Sequence, residues 1–507
     1  MLGRATGAVV SGVGADLVEV EVHLGGGLPG TSTVGMPDVA VREGIDRIRA
    51  AMQSRNFTLP ARKAIVNLAP ADLRKRGSAL DLPIAAAILA VCEHMCPLPE
   101  GERTLVIGEL GLDGSIRPVR GVLPMAMAAR DAGKTRLIVP RENADEAALV
   151  QGMTVLPVAD LDDVVCLAGG RAAVHLAPDP DLLLQQPPGE GEVPDLADVR
   201  GQAQARRALE IAAAGGHNLL LCGPPGAGKT MMARRLAGIL PPLSLDEALE
   251  VTRVWSTVGL TRGLVTRRPF RAPHHGASFA ALTGGGGIVR PGEISLATHG
   301  VLYLDELPEF RRDALEALRQ PLEDGEITVS RAHGSVTMPA RFALVASMNP
   351  CPCGHSGNRH RPCRCSEAEV RRYRGRVSGP LLDRFDLVVD VPAVDMAELS
   401  GRERGEGSSA VRRRVVAARQ RQRGRLAESG AGCNAEMSGR ILEQRCALDG
   451  EARRLLRAAG ERLHLSARGH DRVRRVARSV ADLEGSEEVR REHVAEAVQY
   501  RRREAHP

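Results

Sequence analysis

Apolar and polar residues follow two periods along the first third of the chain, and each period predicts one type of element. Strict alternation is typical of strands, whereas spacings of three and four residues are typical of helices. The predicted elements are strands within residues 6–24 and over 64–68, helices over 38–55 and 81–92, and a hairpin over 104–119. This hairpin is expected to turn at Asp113 and Gly114. The succession predicts an α+β domain over residues 1–175.

The pattern changes twice in the rest of the chain. Residues 176–195 are rich in proline, glycine and acidic residues, which predicts a linker. From 196 to 394 short apolar strands alternate with helical segments, as in a parallel α/β sheet. Residues 395–507 are charged, with apolar residues at helical spacing in 468–483, and predict a C-terminal helical domain.

Composition narrows the class of protein. The 507 residues are 43% apolar and 2% aromatic, so we expect large aliphatic cores and no surface that binds single strands mainly by base stacking. The net charge of +6 is mild, but arginines crowd residues 402–425 and predict either a phosphate-attracting field or a solvated helix face. No run of 18 apolar residues and no signal peptide is found, and ten cysteines are too few for a disulfide scaffold. We therefore expect a cytoplasmic protein without a membrane span.

A glycine-rich loop follows the first apolar strand of the central domain. Strand 219–222 leads into GPPGAGKT, which fits G-x-x-x-x-G-K-T and precedes a predicted helix. Glycines let the backbone aim N–H groups at phosphate oxygens, and the helix start adds its positive dipole end. Lys229 is expected to neutralise β- and γ-phosphate oxygens, and the Thr230 hydroxyl to hold Mg²⁺. The predicted nucleotide-binding residues are Gly223, Pro224, Pro225, Gly226, Ala227, Gly228, Lys229, Thr230 and Met231.

Two further apolar strands of this domain end in polar residues. Strand 301–304 is followed by Asp305 and Glu306, and strand 342–348 by Asn349. Asp305 is predicted to hold Mg²⁺ and Glu306 to polarise the attacking water. Asn349 would orient water near the γ-phosphate, although the same residue could simply begin a loop.

Arg384 lies in the segment LLDRFD. An arginine at such a position often reaches the γ-phosphate of a nucleotide in a neighbouring subunit and offsets transition-state charge. The alternative is an ion pair with Asp383 or Asp386 in the same chain. We favour the first interpretation, because Lys229 is otherwise the only cation among these motifs.

In this order the motifs resemble those of AAA+ ATPases. Four segments make the match closer: VRGQAQARRALEIAAAGGHNLLLCGPPGAGKTMMARRLAGILPPL, RPFRAPHHGASFAALTGGGG, RPGEISLATHGVLYLDELPEF and SGPLLDRFDL. They resemble the magnesium-chelatase-like family of AAA+ ATPases that contains YifB and ComM, over nearly the whole chain. The resemblance implies a P-loop AAA+ core with a C-terminal helical lid, ATP and Mg²⁺ as cofactors, and a homo-oligomeric ring, usually a hexamer.

The same resemblance implies a DNA partner, single-stranded or branched. ComM-type members are helicases that promote branch migration during natural transformation. Related helicases carry a hairpin that contacts DNA in the ring channel, and the matching segment here spans residues 324–342. Arg331 is the predicted DNA contact at its tip, with His333 as a second one.

Arg468 matches the second-sensor arginine of the lid in this family. Arg472, Arg474 and Arg475 lie close by in sequence and are alternatives.

The N-terminal domain resembles the Lon-type protease domain, which has the fold of ribosomal protein S5 domain 2. Lon proteases use a serine–lysine dyad, but Ala79 stands at the nucleophile position here, next to Ser78, and Leu123 stands at the lysine position. Without a nearby amine base a serine hydroxyl stays protonated. We therefore expect a non-proteolytic domain.

Four cysteines cluster directly after Asn349: Cys351, Cys353, Cys363 and Cys365. Four thiols within fifteen residues favour a tetrahedral structural zinc site, in which His355 or His360 could replace a cysteine as ligand, while reduced cysteines without a metal are the alternative. Such a site has no open position and is not expected to be catalytic.

Two functions remain in competition. The first is an ATP-driven DNA translocase, a branch-migration helicase of the ComM type. The second is a chelatase-type AAA+ remodelling ATPase without DNA translocation, which the Lon-like domain and the cysteine segment disfavour. The absence of the dyad lysine disfavours a protease.

Overall fold

The computed structural model describes residues 2–58, 62–96, 98, 100–171, 173–185, 194–286, 289–331, 334–357, 361–393 and 405–501. Its first region holds nine strands: β1 Leu2–Ser11, β2 Gly14–Gly25, β3 Gly30–Val34, β4 Lys63–Ala69, β5 Thr104–Val106, β6 Glu109–Leu110, β7 Ile116–Arg117, β8 Arg136–Pro140 and β9 Thr154–Val158. The helices described there are α1 Val39–Ser54, α2 Asp81–Val91, α3 Val122–Asp131, α4 Ala144–Ala147 and α5 Leu161–Ala168.

Seven of these strands form one mixed sheet in the order β3-β4-β2-β1-β5-β8-β9. The pairs β1–β2 and β2–β4 are antiparallel, while β5, β8 and β9 continue the sheet in parallel. Helix α2 packs against β1 and β2 and is buried nearly all round, which explains why its sequence is apolar on every face.

The predicted hairpin over 104–119 is wrong in its extent. Only Glu109–Leu110 and Ile116–Arg117 pair as a hairpin, around a turn in which the Asp113 carboxylate accepts from the Ser115 N–H at 3.1 Å. The preceding segment Thr104–Val106 is fully buried and joins the large sheet parallel to β8. A continuous apolar run suits such a doubly covered strand better than a hairpin arm.

The central region alternates strands and helices. The strands are β10 Leu219–Cys222, β11 Phe270–Arg271, β12 Gly284–Gly285, β13 Arg290–Pro291, β14 Val301–Leu304, β15 Glu326–Arg331, β16 Gly334–Pro339, β17 Ala343–Met348 and β18 Leu387–Asp390. The helices are α6 Pro180–Gln185, α7 Ala203–Gly215, α8 Lys229–Ile239, α9 Leu245–Val258, α10 Phe279–Thr283, α11 Glu293–Leu296, α12 Arg312–Glu316, α13 Pro321–Asp324, α14 Glu367–Arg374 and α15 Gly379–Leu382. Helix α6 lies within the segment predicted as a linker.

Five strands form a sheet in the order β11-β14-β17-β10-β18, and every pairing in it is parallel. The prediction of a parallel α/β sheet is confirmed. Because all strands point the same way, the residues that follow β10, β14 and β17 meet at one edge of the sheet. We call this the carboxyl edge, and the opposite edge the amino edge.

The C-terminal region is helical, as the sequence predicts. Its helices are α16 Ser408–Leu426, α17 Gly439–Arg445, α18 Gly450–Leu463, α19 Ala467–Glu484 and α20 Arg491–Gln499. Helices α16 and α19 pack on α7 and share one apolar core with the central sheet. In the arginine-rich helix α16, Arg414 pairs with Glu210 and Glu406, and Arg425 pairs with Asp482. These two arginines stabilise the fold rather than contribute to an open phosphate-attracting field.

A buried carboxyl group joins the first region to the central one. Glu146 of α4 accepts a hydrogen bond from the Leu123 N–H at 2.8 Å and another from the Ser256 hydroxyl of α9. The N–H of Gly121 donates to the Ser256 carbonyl at 3.0 Å. Burial raises the pKa of Glu146, although these donors act against it. Helix α3 also packs against α9, so the two regions share a continuous interface.

Among the described residues, we find no helix that combines the length and apolar character needed to cross a bilayer.

Candidate nucleotide-binding site

The glycine-rich loop leaves β10 at the carboxyl edge and enters α8. Gly226 and Gly228 have φ of +79° and +83°, a region that favours glycine, and a Cβ at Gly226 would meet no atom within 4 Å. A Cβ at Gly223 would collide with the Val391 carbonyl. The sequence folds into this open, strained turn because glycine occupies each of these positions. The eleven-residue helix α8 then starts at Lys229, with its first N–H groups toward the loop.

Lys229 lies inside the loop and is only 9% exposed. Its Nζ donates to the carbonyls of Gly223 and Pro224, at 2.7 and 2.9 Å, and to Asn349 Oδ1 at 3.1 Å. Burial lowers the pKa of Lys229, while the nearby Asp305 acts in the opposite direction. An ammonium group satisfied by neutral carbonyls can exchange them for phosphate oxygens at small cost.

Thr230 and Asp305 form the second part of the site. The Thr230 hydroxyl donates to Asp305 Oδ2 at 2.7 Å, and Ser347 donates to Asp305 Oδ1. Tyr303 donates to Thr230 at 3.2 Å. Burial by itself raises the pKa of Asp305, but the donors Ser347 and Thr230 outweigh it and lower the pKa. The carboxylate therefore stays ionised next to a hydroxyl, which is an arrangement of hard oxygen ligands that Mg²⁺ prefers.

Sequence reasoning missed Tyr303 and Ser347. Each lies two residues before a predicted site residue, Asp305 and Asn349 respectively. Because strand side chains alternate with period two, these positions share a face with the residues that were found. That period is the signal that could have identified them.

Glu306 follows Asp305 in a left-handed backbone conformation, with φ of +54°. Its N–H donates to Asp305 Oδ1 and to Ser347 Oγ, at 3.1 and 3.3 Å. The side chain is 53% exposed and lies 3.6 Å from His275 Nδ1. A positive φ at a non-glycine residue costs energy, and the two hydrogen bonds hold Glu306 in this conformation. His275, within the segment RAPHHGAS, is a further residue to which the sequence assigned no role.

Arg384 lies at the opposite edge of the sheet. Its carbonyl accepts from Asn218 Nδ2 at 3.0 Å. Asn218 directly precedes β10, whereas the glycine-rich loop 223–228, called the phosphate loop from here on, directly follows β10. The guanidinium is 8% exposed and donates to the Pro380 carbonyl and to Glu323. The alternative ion pair with Asp383 or Asp386 is not formed; Glu323 is the partner instead.

Arg468 of α19 lies near Arg384 rather than near the phosphate loop. Its guanidinium is 70% exposed and 3.9 Å from Glu323, the carboxylate that also binds Arg384. Both arginines line a cavity of about 630 Å³ between the amino edge and the C-terminal helices, together with Arg268, Arg341, Arg419, Arg472 and Arg475. The structure therefore separates these two predicted residues from Lys229 within one chain.

Arg472, an alternative to Arg468, is buried instead. Its Nε lies 3.7 Å from Asp386, which also accepts from the Asn218 N–H at 3.1 Å. Burial by itself raises the pKa of Asp386, but the adjacent His217 ring, Arg475 and Arg472 outweigh it and lower the pKa to about 2. This contact links the segment before β18 to α19, and Nη1 of Arg472 is buried without a hydrogen-bond partner among the described residues.

The hairpin predicted over 324–342 is formed by β15 and β16, which pair from Glu326 and Pro339 to Arg331 and Gly334. His333 lies outside the described residues, and only the backbone of Arg331 is described. The middle of the hairpin packs against the first region, because a Cβ at Gly12 would collide with the side chain of Val336, which pairs with Val329.

In the first region, the positions that match the serine–lysine dyad of Lon proteases hold apolar side chains, and the adjacent serine is hydrogen-bonded. Ala79 is buried, Leu123 is buried, and the Ser78 hydroxyl donates to Glu109. The hydroxyl thus has a carboxylate partner.

The four cysteines place their sulfur atoms within 4.8 Å of one another. Cys351 is buried, Cys353 and Cys365 are half-buried, and Cys363 is exposed. All four are free thiols.

Three family profiles and several relatives match this chain. The profile of the family "Magnesium chelatase, subunit ChlI" matches residues 195–399, that of "Subunit ChlI of Mg-chelatase" residues 20–143, and that of "Magnesium chelatase, subunit ChlI C-terminal" residues 405–501. The chain is 45% identical to the competence protein ComM of Haemophilus influenzae over 496 residues, covering 97% of this chain and 95% of ComM. It is likewise 45% identical to YifB of Escherichia coli K12, with the same coverage.

A more distant likeness is to the magnesium-chelatase 38 kDa subunit of Cereibacter sphaeroides, which is 28% identical over 326 residues, 58% of this chain and 87% of that subunit. The parallel sheet, the phosphate loop at its carboxyl edge and the helical C-terminal region fit the AAA+ core that these proteins share. The chain belongs to the YifB and ComM family of magnesium-chelatase-like AAA+ ATPases.

Proposed function

We propose that this chain is an ATP-dependent motor that assembles into a hexameric ring and acts on DNA as a branch-migration helicase. The observation that carries the proposal is the position of Arg384 and Arg468 at the amino edge, away from the phosphate loop. A phosphate site of this kind is complete only when a second copy presents these cations. Such a head-to-tail contact generates a ring when its rotation closes.

Each residue of the phosphate site has a proposed role. Lys229 binds β- and γ-phosphate oxygens, Glu306 polarises the attacking water, and Asn349 orients that water. Thr230 and Asp305, whose oxygens are 2.7 Å apart, would hold Mg²⁺. The bound ion would supply positive charge next to the phosphate oxygens.

The two distant arginines act on the neighbour's nucleotide. Arg384 offsets the charge that develops on the γ-phosphate in the transition state. Arg468 is the sensor on α19, so its position reports the nucleotide state to the lid. Because both contact Glu323, we propose that they move into the neighbouring site together.

DNA is the proposed partner for two reasons. The relative ComM is named a competence protein, and the sequence between the paired ends of β15 and β16 includes Arg331 and His333. A cation at a hairpin tip can contact phosphates without reading sequence, as a translocase requires.

A chelatase-type remodelling ATPase is the second candidate, favoured by the 28% identity to the magnesium-chelatase 38 kDa subunit. In that case the same ATP site would act on a protein or porphyrin partner. The N-terminal domain matches a profile that also carries the chelatase description, so the cysteine cluster is the feature that we assign to the first candidate rather than the second.

We also propose that the N-terminal domain is a Lon-type fold without protease activity. Buried Ala79 and Leu123 in place of the dyad support this, since neither carries a nucleophile or an amine.

The test is ATP turnover by the purified full chain with no DNA, with single-stranded DNA and with a branched junction. A DNA motor is expected to hydrolyse ATP several-fold faster with DNA, and Lys229→Ala should abolish both rates. Equal turnover under all three conditions would contradict the DNA proposal and favour the chelatase-type alternative.

The hairpin needs a separate measurement. Arg331→Ala should weaken DNA binding about tenfold while basal ATP hydrolysis is retained, because a phosphate contact is lost and the ATP site is untouched. Arg457→Ala, an exposed arginine of α18 paired only with Glu461 among the described residues, is the matched control. Unchanged DNA affinity in Arg331→Ala would remove Arg331 from the DNA path.

A further inference from the structure

The cysteine cluster has the geometry of a metal site. Cys351 Sγ lies 3.4 Å from Cys353 Sγ and 3.7 Å from Cys363 Sγ, and the sulfurs of Cys353 and Cys363 are 3.6 Å apart. Four sulfurs bound to zinc at about 2.3 Å occupy a tetrahedron with edges of about 3.8 Å. A disulfide would require about 2.05 Å. The observed separations fit shared coordination and do not fit a covalent pair.

The backbone around the cluster adds donors to the sulfurs. The Ser356 N–H donates to Cys351 Sγ at 3.2 Å, and the turn is closed by Gly354 N–H to the Cys351 carbonyl at 2.9 Å. N–H donors to a thiolate stabilise its charge and fix the ligand direction. Cys363 is exposed, so an ion can reach the site from solvent.

The same turn contacts the phosphate loop. Gly354 has φ of +80°, and a Cβ there would approach Pro225 Cδ to 2.5 Å. Two residues before Cys351, Asn349 accepts a hydrogen bond from Lys229. The segment from Asn349 to Gly354 therefore lies between the cysteine cluster and two parts of the nucleotide site.

We propose that Cys351, Cys353, Cys363 and Cys365 bind one Zn²⁺, and that this ion fixes the segment 349–354 against the phosphate loop so that ATP binding depends on it. The proposed zinc site depends only on the geometry of the four sulfur atoms. The proposed effect of zinc on ATP binding also rests on the proposed function, in which the phosphate loop binds the nucleotide. The four thiols release their protons and bind zinc as thiolates, and no redox step is involved.

Zinc content tests the first part. The full chain, purified under reducing conditions without chelator, is expected to contain about one zinc per chain by mass spectrometry. Growth with Co²⁺ should give the intense visible bands of a tetrahedral thiolate site. Cys363→Ser should lose most of the metal, while Cys166→Ser, an exposed cysteine of α5, should keep it. Less than about half an equivalent in the parent chain overturns the proposal.

Two glycine substitutions test the coupling without removing a thiol. Gly354→Ala places a methyl group against Pro225, whereas Gly357→Ala, with a φ of +76° and no atom within 4 Å of its Cβ, carries the same backbone cost without that contact. Both should retain zinc. Gly354→Ala should weaken binding of a fluorescent ATP analogue about tenfold relative to Gly357→Ala.

The outcomes separate the claims. Equal affinity in the two glycine variants, with zinc present in both, overturns the coupling and leaves the metal site. If the parent chain binds zinc but no ATP analogue, the proposed function fails and the zinc site stands. If Cys363→Ser keeps a full equivalent of zinc, the four-thiolate assignment is wrong.

Discussion

Arg384 offers the sharpest test of how the ATP site is completed. Asn218, which holds the Arg384 carbonyl, and Gly223, which opens the phosphate loop, are separated by the length of β10. Five residue steps of extended chain span about 16 Å, which is farther than one side chain reaches. In the proposed function Arg384 would therefore act on a nucleotide bound by another copy. Arg384→Ala should lower kcat for ATP about a thousandfold, the scale of an arginine supplied in trans.

Mixing two inactive variants distinguishes a trans residue from a structural one. Lys229→Ala lacks the phosphate binder and Arg384→Ala lacks the neighbour's cation, so each alone should be inactive. In a mixed ring one interface in four combines an intact Lys229 with an intact Arg384, so equal mixing should restore up to about a quarter of parent turnover. Phosphate release after mixing and re-assembly measures it.

Two controls keep the result interpretable. Arg384 is 8% exposed and donates to Glu323 and to the Pro380 carbonyl, so its loss should lower the free energy of unfolding by about 1–3 kcal/mol, and urea denaturation must show that Arg384→Ala is folded under the assay conditions. Arg457→Ala should leave turnover unchanged. Full turnover by Arg384→Ala, or no recovery in a mixture that demonstrably forms rings, would refute the reasoning from the sheet geometry.

Three further results are expected. Glu306→Gln should retain binding of a fluorescent ATP analogue and lose at least about a hundredfold in phosphate release, because the side chain is 53% exposed beside His275 and the substitution leaves Lys229, Thr230 and Asp305 in place; equal loss of binding would contradict this. Asp386→Asn should lower the free energy of unfolding by about 3 kcal/mol at pH 7, since it leaves the buried Arg472 without its counter-charge. Because the pKa of Asp386 is lowered from 3.8 to about 2, its carboxylate stabilises the folded state above pH 3.8, and the difference in urea denaturation should shrink as the pH falls from 3.8 towards 2. Gly12→Ala places a methyl group against Val336, at a φ of +62° that disfavours alanine. It should lower the melting temperature and the stimulation of ATP turnover by DNA, while basal turnover persists. Unchanged stimulation by DNA would show that the hairpin does not depend on its contact with the N-terminal region.

The residues at the carboxyl edge could be predicted because each of them follows a strand of the same parallel sheet. In a parallel sheet each apolar strand ends at the same edge, so Thr230, Asp305 and Asn349 had to meet once the strands were recognised. The supporting residues Tyr303 and Ser347 could have been placed on the same face by the period of two, but their hydrogen bonds to Thr230 and Asp305 are known only from the structure.

The amino edge could not be predicted in the same way. Glu323 contacts both Arg384 and Arg468. Glu323 and Arg384 are 61 residues apart in sequence, and either could pair with many other charged residues of the chain. The buried strand Thr104–Val106 was missed for a related reason: an apolar run is compatible with a hairpin arm or a central strand, and only its partner β8 decides.

The buried carboxyl group of Glu146 has a mechanical consequence. Its partners come from both sides of the boundary, Leu123 on its own side and Ser256 of α9 on the other, so separating the two regions would break the hydrogen bond from Ser256, at a cost of about 1–3 kcal/mol, and keep the one from Leu123. Because α3 and Glu146 both contact α9, the N-terminal region of each copy would follow a tilt of α9 during the proposed hydrolysis cycle.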